Sequence, residues 1–188
     1  MEPVLHFNSE INENSIERLI TRLRSSNAPS KVLIDSPGGT FNFFSLQAPA
    51  ISRLGITTIA NRVYSAASIL FVLGAERVVH CNSELLFHEV RIITPSGNHI
   101  TLSDVGEYEA MLKETVKDVS FENFDEWYLQ MKTAQEWLVR LISENTKCSR
   151  GIIRSLVNED TVISGKEAYR YGIATKYAEI QLYNENEI

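Results

Sequence analysis

Three side chains and two backbone groups have the types and order that acyl transfer by a serine requires: Ser68, His88 and Asp160, with the N–H groups of Gly39 and Ile69. A serine hydroxyl is a weak nucleophile at neutral pH. Hydrolysis through it needs an imidazole to take the proton and an acid to orient that imidazole. It also needs N–H donors aimed at the oxygen that becomes negative. Ser68 stands in "YSAASILFVLG", where another alanine would pack as well. His88 falls in "ELLFHEV", Asp160 precedes "TVIS", and Gly39 is the second glycine of the turn "SPGG", where bare backbone can approach a ligand closely. Taken singly, each has a plainer reading. A serine opening a helix is ordinarily a cap, "SPGG" and "NED" are ordinary turn sequences, and His6, His80 and His99 compete for the role of base. Convergence in space is what would turn them into a site.

The elements between these residues are arranged to bring them to one sheet edge. "VLHF", "KVLID", "ITTIANRV" and "ERVVH" read as buried strands, and "ELLFHEV" as a further one. Helical spacing of Ile16, Leu19, Ile20 and Leu23 predicts a helix in "NENSIERLITRLRSS", capped by Asn14 or Ser15. A second helix is expected in "TFNFFSLQAPAISRLG", kinked or divided by Pro49, and a third in "AASILFVLGA". Such alternation implies a parallel sheet covered by helices. Ser68 then opens a helix after one strand, "SPGG" ends another, and His88 ends a third. Beyond them, "RIITPSGNHITL" reads as a hairpin. Residues 103 to 145 read as a long helical block with Trp127, Tyr128, Met131 and Trp137 on its apolar faces, interrupted around "VSFENFDEWY". "TVI" reads as a short strand and "SGKEAYRYG" as a capped helix closing at Gly172.

Composition narrows the class. The chain has 188 residues, 44% of them hydrophobic, enough for one ordinary core, and no linker divides residues 1 to 188. Cys81 and Cys148 have neither disulfide-framework nor zinc-site spacing, and no metal or cofactor motif is present, so none is expected. No apolar run reaches membrane-spanning length and no signal sequence opens the chain, which predicts a cytoplasmic protein without a membrane partner. A formal charge of −6 without basic clusters argues against nucleic acid.

In order along the chain, "IDSPGGT", "SAAS", "NSELLFHE" and "EDTVISGKEAYRYGIAT" resemble the signatures of the Clp protease proteolytic subunit (ClpP) family. The similarity runs from about Val32 to Thr175. It implies a clp/crotonase-like α/β fold, built of repeated β-β-α units with a long helical handle. It also implies a serine endopeptidase with Ser68 as nucleophile, His88 as base, Asp160 as orienting acid, and Gly39 with Ile69 as the oxyanion hole. The substrate class it implies is extended peptide or unfolded polypeptide, cleaved inside a homo-oligomeric ring, with an AAA+ unfoldase as a partner in some members. The chain departs from the family pattern at Tyr64, at Ile69–Leu70 and at Glu89–Val90. Two other readings follow from the same residues: a noncatalytic Clp-like scaffold subunit, whose site Tyr64 or Glu89 obstructs, and a crotonase-type acyl-CoA enzyme.

Overall fold

β-branched runs alternate with amphipathic helices, and they assemble as that alternation requires, into a mainly parallel sheet with helices packed on it. The structure is a computed structural model that describes residues 4–25, 30–93, 99–105 and 124–179. The sheet has the path β1 (Val4–Phe7), β2 (Lys31–Ser36), β3 (Thr57–Tyr64), β4 (Glu76–His80) and β9 (Lys176–Ala178), all neighbours parallel. Two shorter strands branch from it. β5 (Glu84–Leu86) runs parallel to β3, and β8 (Val162–Ser164) runs antiparallel to β5.

The branch is what positions the site. β3 pairs with β4 through Thr57, Thr58 and Ile59, and with β5 through Arg62, Val63 and Tyr64. Its C-terminal end, where the chain turns into helix α3 (Ala66–Val72), therefore lies beside the strand that leads to His88. On the other side of β5, Leu86 faces Val162. His88 and Asp160 each lie two residues beyond that last pair, at the same end of the ladder.

Helix α1 (Glu13–Leu23) buries Ile16, Leu19, Ile20 and Leu23, the predicted stripe. Its cap lies earlier than expected, at Asn12. The Asn12 side chain accepts from the Ser15 N–H at 2.9 Å while Ser15 Oγ accepts from the Asn12 N–H at 3.0 Å, a reciprocal capping box. Helix α2 (Phe44–Ser52) runs through Pro49 and is not divided by it. The predicted strand "ELLFHEV" is shorter: β5 stops at Leu86, and His88 lies on the irregular segment that follows. The hairpin forms, with β6 (Ile92–Ile93) antiparallel to β7 (His99–Ile100), while its turn lies outside the described residues.

Of the long helical block, α4 (Phe124–Asn145) is described, and residues 106–123, including most of the expected interruption, lie outside the described residues. Its large side chains do not form an outward contact surface. Trp127, Met131, Val139 and Ile142 are buried in the chain's own core, and Trp137 stacks on Phe41 with ring centroids 6.2 Å apart. Tyr128 and Leu129 are the ones that face outward. Helix α5 (Arg150–Asn158) is capped by Ser149 and leads to Asp160. Helix α6 (Gly165–Arg170) is capped by Ser164 with Glu167 returning the bond, and Gly172 follows it at φ 76°. Among the described residues no helix is long and apolar enough to cross a membrane.

Candidate active site

The hydroxyl that meets His88 is not Ser68 but Ser65. His88 Nε2 lies 2.7 Å from Ser65 Oγ. Ser65 is the single residue between the end of β3 and the start of α3, with φ 57° and ψ −127°. That is a sparsely populated backbone state for a residue with a Cβ. It persists only where the surroundings over-determine it, and such residues concentrate at functional sites. A sharp strand-to-helix turn of this kind lifts a side chain out at the end of a sheet, as it does for nucleophilic serines on other α/β scaffolds.

Ser68 has a different place. It is inside the first turn of α3, 2% exposed, and its Oγ donates to the Ser65 carbonyl at 2.7 Å. It is a buried brace of the turn. The same shift moves the donors. Ile69 is the fourth residue of α3, where N–H groups already point back at the N-cap carbonyl, whereas Ala66 is the first and has no intrahelical acceptor. The N–H beside the Ser65 hydroxyl is therefore that of Ala66.

The "SPGG" turn converges on this point. An added Cβ on Gly38, at φ 94°, would fall 2.5 Å from Ser65 Cβ and 3.1 Å from the Ala66 nitrogen, so only glycine fits against the serine. The turn is pinned from the far side: the Ile11 N–H donates to Gly38 O at 2.7 Å and the Thr40 N–H donates to Ile11 O at 2.9 Å. This parallel bridge engages the residues flanking Gly39 and turns the Gly39 N–H to the opposite side, that of β3 and Ser65.

His88 is half-buried, with its Nδ1 2.5 Å from the Glu89 carbonyl. A carbonyl only accepts, so Nδ1 carries the proton and Nε2 presents its lone pair to the Ser65 hydroxyl. That is the tautomer a general base needs. Burial holds the His88 pKa below the usual histidine range; the Glu89 carbonyl and Asp160 raise it, while Arg91 and His99 lower it further.

Asp160 is not hydrogen-bonded to the imidazole, although both lie just past the same end of the β5–β8 ladder. Its Oδ2 accepts from Arg91 Nη2 at 2.5 Å, and its backbone has φ 54°. Glu89 serves the site through its main chain, while its buried carboxylate accepts from the Ser103 N–H at 3.2 Å. Tyr64 directs its hydroxyl to the Glu84 carboxylate on the adjacent strand. Neither side chain is hydrogen-bonded to Ser65 or His88. His80, one of the rival bases, is buried, and its Nδ1 accepts from the Asn82 N–H. The neighbouring Ser83 hydroxyl donates to Ala60 O at 2.6 Å, so "CNS" fastens β4 to β3.

No protein-family model matches the chain, and no curated protein matches it. Among solved structures, the ClpP protease catalytic domain from Plasmodium falciparum is similar over 97% of this chain and 88% of that one, with a TM-score of 0.60 and 21% sequence identity. The fold is that of the ClpP catalytic domain. The mixed α/β architecture expected from "IDSPGGT" through "GKEAYRYG" is thus the one observed. On this ClpP-like frame the serine–histidine contact lies where β3, β5 and the "SPGG" turn meet, at the C-terminal ends of parallel strands.

The signal for Ser65 was present in the residues. The strand-like "ITTIANRVY" and the helical "AASILFV" leave one residue between them, and Ser65 fills that gap. Ser68, in the tripeptide "AAS", lies three residues further along and is not the hydroxyl that meets His88.

Proposed function

We propose that this protein is a serine hydrolase that cleaves peptide bonds in extended or unfolded polypeptide, with Ser65 as nucleophile and His88 as general base. The observation that carries the reading is the 2.7 Å contact between His88 Nε2 and the Ser65 hydroxyl, at a turn with a rare backbone conformation. In the acylation step Ser65 Oγ attacks the carbonyl carbon as its proton passes to Nε2, and the N–H groups of Gly39 and Ala66 receive the developing oxyanion. The imidazolium then gives that proton to the leaving amine. Water repeats the sequence on the acyl-enzyme, and the Glu89 carbonyl holds the ring in register throughout.

An extended substrate would add its backbone beside the strand that ends in "SPGG", where main-chain hydrogen bonds hold segments of varied sequence. A homo-oligomeric ring remains part of the proposal, with Tyr128 and Leu129 on α4 available for contact. An AAA+ unfoldase is a possible addition to such a ring and is not needed for peptide cleavage.

The test is hydrolysis of an unstructured fluorogenic peptide across pH. Because His88 must be neutral to act and burial lowers its pKa, kcat/KM should rise with pH through an inflection below about 6.5 and be level at neutrality. A chain that leaves peptides intact but hydrolyses an acyl-CoA thioester would replace the peptidase with the crotonase-type reading.

A further inference from the structure

We propose that Arg91 is a positioning residue that holds the Asp160 carboxylate away from His88, so that the serine–histidine pair lacks its orienting acid until this ion pair opens. The inference rests on the hydrolase reading of Ser65 and His88. Two observations stand against each other. His88 and Asp160 each lie two residues past the last β5–β8 pair, Leu86 with Val162, near enough for the Asp160 charge to act on the imidazole. Yet His88 Nδ1 bonds the Glu89 carbonyl, and Asp160 Oδ2 bonds Arg91 Nη2 at 2.5 Å.

The ion pair is built to be opened. A guanidinium grips a carboxylate most firmly through two parallel N–H bonds. Arg91 offers Nη2, while its Nε is buried without a hydrogen-bond partner. A buried donor left without a partner is costly, so the Asp160 contact holds this rotamer against a standing penalty. The pair is also partly solvated, with Arg91 32% and Asp160 51% exposed, which weakens the attraction. Both side chains line a cleft of about 190 Å³ together with Glu89, Thr101 and Ser103, which leaves room for rotation. Asp160 itself sits at φ 54°, at the junction between α5 and β8.

The charged groups that act on His88 are Arg91 and Asp160 from either side of the cleft and His99 from β7. Removing the Arg91 charge therefore acts on the imidazole twice: a nearby cation is lost and the carboxylate is released toward Nδ1. Both raise the His88 pKa. An acid on Nδ1 also stabilises the imidazolium formed during acylation, so the rate should climb with it.

The experiment follows the His88 imidazole by NMR titration and peptide hydrolysis in four proteins: wild type, Arg91→Gln, Asp160→Asn and the double variant. Arg91→Gln should raise the His88 pKa and speed hydrolysis about tenfold or more. Asp160→Asn alone should change the rate less than about threefold, and the double variant should lose the gain, because the two residues act through one contact. Should Arg91→Gln fold poorly, Arg91→Lys keeps the charge and loses the planar fork, and should give a smaller gain in the same direction. The proposal is overturned if the His88 titration ignores Arg91→Gln, or if the double variant is as fast as Arg91→Gln. A wild type that cleaves peptide with an unmoved titration defeats this inference alone. A titration that moves in a protein that cleaves nothing defeats the hydrolase reading and leaves the ion-pair assignment standing.

Discussion

Replacing Ser65 with alanine should lower peptide hydrolysis on the order of a thousandfold or more, because nucleophile and base act as a unit and the residual rate comes from binding and the oxyanion donors alone. The fold should survive, since the change removes one half-buried hydroxyl and relieves nothing else in the packing. Ser68→Ala is the informative control. It deletes the 2.7 Å bond to the Ser65 carbonyl, a loss of about 1 kcal/mol, while the Ser68 N–H still donates to that same oxygen at 2.9 Å. The turn should hold, and the rate should stay within about tenfold of wild type. His88→Ala should match Ser65→Ala. Steady-state kinetics on the three variants, with thermal unfolding as a check on folding, decides the assignment; a Ser68→Ala variant as inactive as Ser65→Ala would return the nucleophile to Ser68.

Gly38→Ala should be strongly damaging although it lies outside the reacting pair. At φ 94° an L side chain is strained whatever space it has, and here the new Cβ would sit 2.5 Å from both Ser65 Cβ and the Tyr64 carbonyl. The backbone strain alone is worth about 1–3 kcal/mol. The collision cannot be relieved by a flexible side chain, because one of the atoms it meets is backbone. It must move the turn that carries Ser65. A displacement near 1 Å at the reacting groups costs on the order of a hundredfold in rate, so activity should fall further than stability. Urea unfolding and kcat/KM on the same preparation separate the two. Stability and rate both within error of wild type would show that the "SPGG" turn does not support the serine.

What could be read from the residues follows from how local each signal is. The α1 stripe, the β-branched strands and the Ser164–Glu167 cap depend on neighbours within a few positions, and they appear where periodicity and capping rules place them. The "SPGG" turn was legible as a site element because two adjacent glycines in a strand-end turn imply close backbone approach. The step from Ser68 to Ser65 was harder. It depends on whether the helix begins at Ala66 or nearer Ser68, and helix boundaries are decided by the strand-to-helix turn geometry rather than by residue preference. The Arg91–Asp160 contact spans 69 positions and depends on the β5–β8 register, which no local pattern encodes. For Trp127 and Met131 the residues indicate burial but not its partner. Large apolar residues on a helix demand burial, but not against which surface, and here the chain's own core receives them.

The central claim is that Ser65 is the activated hydroxyl. A fluorophosphonate reacts with a serine only where a base and oxyanion donors support the attack, so its point of attachment reads the site directly. Fragment-ion mass spectrometry of the labelled protein should place the adduct on Ser65, and His88→Ala should abolish it. An adduct on Ser68, or none on a folded protein that turns over peptide, would contradict the account.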